Sequence, residues 1–143
     1  MLDGGPATAC EGPTDLCAFF ERYLAAFNAR DFDGFRATFA DDITTFFDRP
    51  FPPERLEGRA AVEGVFRRGF AYFHPAAGTP QPPPPAPLVP VDLRVQVFGD
   101  AAVISFLIRT PAEVARRTLV VHRGASGWRV VHIHASSSDL PAK

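Results

Sequence analysis

"AAVISFLIRTPAEVARRTLVVHRGASGWRVVHIHASSS" (Ala101–Ser138) decides how this chain folds. Three apolar, β-branched runs are separated by "TPAE" and "GASG", short breaks that each hold Pro or Gly. Apolar side chains at every second place suit a pleated strand, because successive residues point to opposite faces. A fourth such run, "VDLRVQVF" (91–98), precedes them across a "GD" turn. Connections this short join antiparallel neighbours, so the four runs make a meander.

Upstream, the period lengthens. Leu16, Phe19, Phe20, Tyr23, Leu24 and Phe27 recur at three- and four-residue spacing, the stripe of an amphipathic helix. Pro13 or Thr14 starts this helix, Asp15 sits in its first turn where a carboxylate suits the dipole, and Asn28 or Ala29 ends it. "RDFDGFRATFA" (30–40) predicts a second short helix with Phe32, Phe35 and Phe39 on one side. "DDITTFFD" (41–48) reads as a strand stopped by Pro50, Pro52 and Pro53. "GRAAVEGVFRRGFAYF" (58–73) is a third helix, with Val62, Val65, Phe66, Phe70 and Phe73 inward. Helices, one strand, another helix and then a meander form an α+β pattern, with the helices on one face of a sheet.

The Pro-rich stretch "HPAAGTPQPPPPAPLVP" (74–90) reads as a stiff surface loop between helix and sheet, with an SH3-type ligand as the alternative. Residues 1–12 read as a flexible tail, 13–137 as one domain with the Pro-rich loop at 75–90 inside it, and 138–143 as a second tail. A chain of 143 residues buries roughly 70% of its unfolded surface and needs neither metal nor disulfide to fold. Cys10 and Cys17 are therefore expected as reduced thiols. A net charge of −1 argues against nucleic acid as a partner. The absence of a signal-peptide pattern and of a long apolar run predicts a cytoplasmic protein without a membrane span.

"ERYLAAFNARDFDGFRATFADDITTFFDRP" (21–50) resembles the opening of bacterial ketosteroid isomerases, with a Tyr on the first helix and an acid before Pro at the end of the first strand. "VFGDAAVISF" and "GWRVVHIHASSS" resemble the SnoaL-like branch of the same nuclear transport factor 2-like superfamily, and the association domain of calcium/calmodulin-dependent kinase II. The resemblance covers residues 14 to 137. It implies a cone: a strongly bent mixed sheet wrapped around helices, with an apolar pocket at the open end. It also implies a homodimer through the outer face of the sheet, in keeping with strands that are apolar on both faces.

The resemblance casts Tyr23 as a hydrogen-bond donor to an enolate oxygen and Asp48 as a general base. Asp48 comes one residue later than the isomerase pattern has it, which in a regular strand turns it to the other face. The isomerase's acid on a late strand is missing, because "RRTLVVHR" (116–123) carries none. Donors there would be His122, Arg117 or the pair His132 and His134.

That pair decides the reading of the last strand. With Arg123 opposite Trp128, a regular register places Leu119 opposite His132 and Arg117 opposite His134. Trp128, Val130, His132, His134 and Ser136 then share a face with Arg117, Leu119 and Val121, and His122 points away. Two histidines about 6.8 Å apart, beside an Arg and without an assured third ligand, do not make a metal site. They make a donor-rich patch, either a pocket wall or an interface row. Tyr23, Asp48 and His134 are thus the catalytic candidates. His132, Arg117 and Ser136, with Phe27, Phe46 and Trp128 as apolar wall, are the ligand-binding ones. The expected ligand is small and apolar, carbonyl-bearing or anionic, and no cofactor is expected. The expected activity is isomerase, lyase or hydrolase chemistry by acid and base, with a non-catalytic ligand-binding or assembly domain as the alternative.

Overall fold

The structure is a computed structural model that describes residues 8–49, 51–72 and 87–141. Most of the Pro-rich stretch, and with it the loop reading, lies outside the described residues. In chain order the elements are α1 (Thr14–Asn28), α2 (Phe32–Arg36), β1 (Phe39–Phe46), β2 (Leu56–Glu57), α3 (Arg59–Tyr72), β3 (Val91–Phe98), β4 (Ala101–Arg109), β5 (Glu113–Gly124) and β6 (Gly127–Asp139).

The expected meander is β3 to β6, each strand antiparallel to the next. β1 then joins β6 in parallel, and β2 joins the far side of β1, giving the mixed order β2-β1-β6-β5-β4-β3. The helices and the sheet make the α+β cone. Phe39, expected on the second helix, begins β1 instead. The helix has already ended at Arg36, an α2 of only five residues whose start is capped by Asp31, its Oδ1 accepting the Gly34 amide at 3.0 Å. Thr38 then closes the turn by donating its hydroxyl to the Phe35 carbonyl.

The core is built of phenyl rings around Phe35, which is fully buried. Tyr23 and Phe27 from α1, Phe39 from β1, and Phe66 and Phe70 from α3 all lie with ring centroids 4.9 to 5.5 Å from Phe35. Such tilted and edge-on pairs add about 0.5–1.5 kcal/mol each beyond the area they bury. Ile104, Leu119, Val121, Val130 and Ile133 supply the floor from the sheet.

Two expectations are corrected. Cys10 and Cys17 are not reduced thiols but form a disulfide, with Cα atoms 5.8 Å apart. The first turn of α1 presents Cys17 to a segment that folds back over the helix. Thr8 N–H donates to the Pro90 carbonyl at 3.0 Å, and Gly12 lies against Val95.

The register of the last hairpin is the second correction. Arg123 does pair with Trp128, and Val121 with Val130. Val120, however, pairs with His132, so Val131 is an extra residue in β6. Beyond this bulge every partner moves by one: Leu119 faces Ile133, Thr118 faces His134, and Arg117 faces Ala135. A bulge inserts one unpaired residue and turns the following side chains over. Ile133 and Ala135 take the buried side. His132, His134 and Ser136 pass to the outer face, away from Trp128, Val130 and Arg117. His122 lies on that outer face too.

Candidate functional site

The inner face of the sheet, the side covered by α1, places Arg117. Along β5 every second residue points inward: Ala115, Leu119 and Val121 are buried there, and Glu113 and Arg117 fall in the same alternation. The cross-strand partners of Arg117 are Phe106 on β4 and Ala135 on β6, both buried. Phe106 lies 5.6 Å from Phe20, one turn before Tyr23 on α1. A guanidinium is thus directed under the helix that carries Tyr23.

Tyr23 is 5% exposed, and its hydroxyl has no hydrogen-bond partner among the described residues. No sealed side-chain nitrogen or oxygen among those residues lacks a partner, so the Tyr23 oxygen keeps an opening beside it. Burial raises the pKa of this phenol well above its ordinary value, and the positive charge of Arg117 pulls against that rise. Arg117 is half-buried, and burial lowers its pKa, opposed by Tyr23, Asp48 and Glu113. Among the described residues its guanidinium makes one hydrogen bond, donating to the Arg116 carbonyl at 3.0 Å.

Asp48 lies two residues past the end of β1. Strand alternation no longer directs its side chain, so the one-residue offset loses its force. The residue is half-buried, and its Oδ1 accepts the Arg49 amide at 2.8 Å. Next to it, Arg49 spans three groups at the ends of β5 and β6: Asp139 at 3.1 Å, Ser137 at 3.3 Å and Glu113 at 3.8 Å. Along the inner face, Arg117 thus stands between the apolar floor and the end of β5 where Glu113 meets Arg49.

The other candidates are not brought there. Phe46, His132, His134 and Ser136 are on the outer face, where His132 Nδ1 and Thr44 Oγ1 share a 2.8 Å hydrogen bond. Ser136 accepts from Arg116 at 3.4 Å. Trp128 lies at the opposite end of β6. Its Nε1 donates to Asp15 at 3.0 Å, and Arg123 stacks on its ring at 5.3 Å. Phe27 does join the inner side, with its ring packed against Phe35 and Phe70. Glu113 was missed, although the same alternation that carries Arg117 marks it. The Arg49 rim had no sequence signal, because it joins the loop after β1 to the far ends of two strands.

Two open grooves lie elsewhere. One, of about 740 Å³, crosses the outer face over Val120 and Val131, with Asp42, His122 and Arg129 among its walls. The other, of about 650 Å³, lies between α1 and α2 beside Arg129. Neither includes Tyr23, Asp48 or Arg117. No group of three or more His, Cys, Asp or Glu suited to a metal occurs among the described residues. No described helix is long and apolar enough to cross a membrane.

Comparison with solved structures supports the fold. A nuclear transport factor 2-like protein of unknown function from Pseudomonas putida is 23% identical, with a TM-score of 0.69 over 86% of this chain and 84% of its own. A candidate dehydratase of the same family from Streptomyces avermitilis is 17% identical, with a TM-score of 0.67 over 90% and 95%. A candidate calcium/calmodulin-dependent protein kinase II association domain from Xanthomonas campestris is 17% identical, with a TM-score of 0.67 over 100% of both chains. At such identities the likeness concerns the fold alone. The SnoaL-like domain family matches residues 16–139, nearly the whole folded chain, and to that family this protein belongs.

Proposed function

We propose that this domain binds a small carbonyl-bearing or anionic molecule on the inner side of its sheet, between Tyr23 and Arg117. One observation carries the reading: the inner side of the sheet holds a buried phenol without an internal partner and a guanidinium without an ion pair among the described residues. Buried polar groups are normally satisfied, so such donors on one face suit an acceptor brought in from outside. Tyr23 would donate to the ligand oxygen, and Arg117 would balance its charge in surroundings where that interaction is little screened. Asp48, at the rim, would accept or return a proton. Together these groups would serve an isomerase, lyase or hydrolase reaction without a cofactor.

A second reading, a non-catalytic ligand-binding or assembly domain, is favoured by one feature. The late strand β5 has no acid near Tyr23 that would complete the isomerase pattern; its acid, Glu113, is held at the rim by Arg49. Under either reading the outer face, with half-buried Val103, Leu107, Val120 and Val131, suits pairing of two copies.

A thermal-shift screen with small ketones, enones and carboxylic acids tests the proposal. A ligand that raises the melting temperature of the native chain, but not of Arg117→Leu or Tyr23→Phe, is the expected result. No shift with any compound, or equal shifts in the variants, would reject it.

A further inference from the structure

On the opposite face of β6, a second set of donors surrounds one ring. The Phe46 centroid lies 4.8 Å from the Arg55 guanidinium carbon, 5.9 Å from the His132 ring and 5.8 Å from the His134 ring. These residues come from three places, the segment before β2, β1 itself and β6, so the convergence is tertiary. Neither Arg55 nor either histidine has an ion pair among the described residues. Thr44 Oγ1 engages His132 Nδ1, which fixes that ring and leaves its Nε2 for another partner.

Other groups facing this cluster follow from the register. From β5 they are Thr118, opposite His134, and Val120, opposite His132. Arg116, two residues from Thr118 on the same face, is turned to Ser136 and Ser138. From β2 it is Glu57, opposite Thr44, and along β1 it is Asp42; both carboxylates are exposed. Burial first, and then the charges of His134 and Arg55, disfavour the protonated form of His132. The Arg55 guanidinium, gathered on the same Phe46 ring as both imidazoles, disfavours a metal cation at the histidine pair and favours an anion.

We infer that Arg55, His132 and His134, gathered around Phe46 on the outer face, form a binding site for a tetrahedral oxyanion such as a sulfate or phosphate group. Such an anion offers several acceptor oxygens to a guanidinium and two imidazoles at once, and charge-assisted bonds of this kind are the stronger ones. Binding would favour the protonated imidazoles, so affinity rises as pH falls through the histidine range. This site is independent of the Tyr23–Arg117 reading, from which it is separated by the thickness of the sheet.

Inorganic sulfate is the appropriate probe because it keeps its charge across that pH range. Imidazole resonances of the full chain, titrated against pH with sulfate or with chloride at equal ionic strength, give the measurement. Sulfate is expected to raise the titration midpoints of both His132 and His134. Arg55→Ala is expected to weaken sulfate binding about tenfold, and Tyr23→Phe to leave it unchanged. Phenyl phosphate and phenyl sulfate, compared in the same assay, separate the two sources of such a group. Identical midpoints in sulfate and chloride would overturn the inference. So would sulfate binding undiminished in both Arg55→Ala and His134→Gln, or tight zinc binding at the pair in place of the anion.

Discussion

Arg117 stands across from Ala135, not from His134, and that one-residue difference divides the molecule's polar residues between two faces. The cause is the extra Val131 in β6. Deleting Val131 would remove the bulge and leave His132 opposite Val120 and Ile133 opposite Leu119, so the side chains beyond it keep their faces. The deletion is expected to keep the cooperative unfolding transition, with the free energy changed by about 1–2 kcal/mol at most, which urea denaturation followed by Trp128 fluorescence would show. Loss of that transition would contradict Val131 as the extra residue, since only then would the deletion turn Ile133 out.

Tyr23→Phe removes a buried hydroxyl that has no internal partner. It should leave unfolding free energy within about 0.5 kcal/mol of the native value, or raise it, since no hydrogen bond is lost. Arg117→Leu should likewise keep or raise stability, by removing a partly desolvated charge. Both should lose any ligand-induced rise in melting temperature. A marked loss of stability in the Phe variant would mean that the hydroxyl serves the fold.

Asp15 ties α1 to the last hairpin. The Trp128 indole, first, and then the Leu16 amide and Arg123 favour its carboxylate over the acid, lowering its pKa despite some desolvation. A group depressed in the folded state stabilises above its unfolded pKa, about 3.9, and that contribution is lost as pH falls through the lower folded value. Urea midpoints of native protein are therefore expected to fall below about pH 4, with a shallower fall in Asp15→Asn. Parallel pH profiles would rule this linkage out.

The Cys10–Cys17 bond closes a loop with a sequence separation of 7 residues. For so short a loop, chain entropy predicts about 2 kcal/mol of stabilisation. Reduction, or the Cys10→Ser variant, should lower the unfolding free energy by about that amount and free residues 8–12 to rapid amide exchange. Two free thiols in the unreduced protein would refute the bond.

The pattern of elements was legible where each rested on one signal. β3 and β4 begin and end where the alternation does, and α1 follows its Phe stripe. Arg117 was found, but on the wrong argument. The run "VVHIH" (130–134) is β-branched at both parities, so no residue in it marks itself as the extra one. Asp48 was judged as a strand residue, although the strand stops at Phe46. The disulfide escaped because its first half lies in a segment without periodicity. The two-residue β2 is too short to show any period.

The strand at the centre of the sheet, β6, is also the last to be made. It alone joins β1 and β2 to the β3–β5 part of the meander. Until residues 127–139 leave the ribosome, the Phe35 cluster has its helices but not the middle of its floor. Contacts between β1 and β6 span nearly ninety residues, as in the Thr44–His132 bond. Long-range closures of this kind slow folding. During synthesis, the nascent chain would carry two incomplete sheet halves with open edges. Shortening the chain before Gly127 should therefore yield an aggregating product rather than a smaller domain.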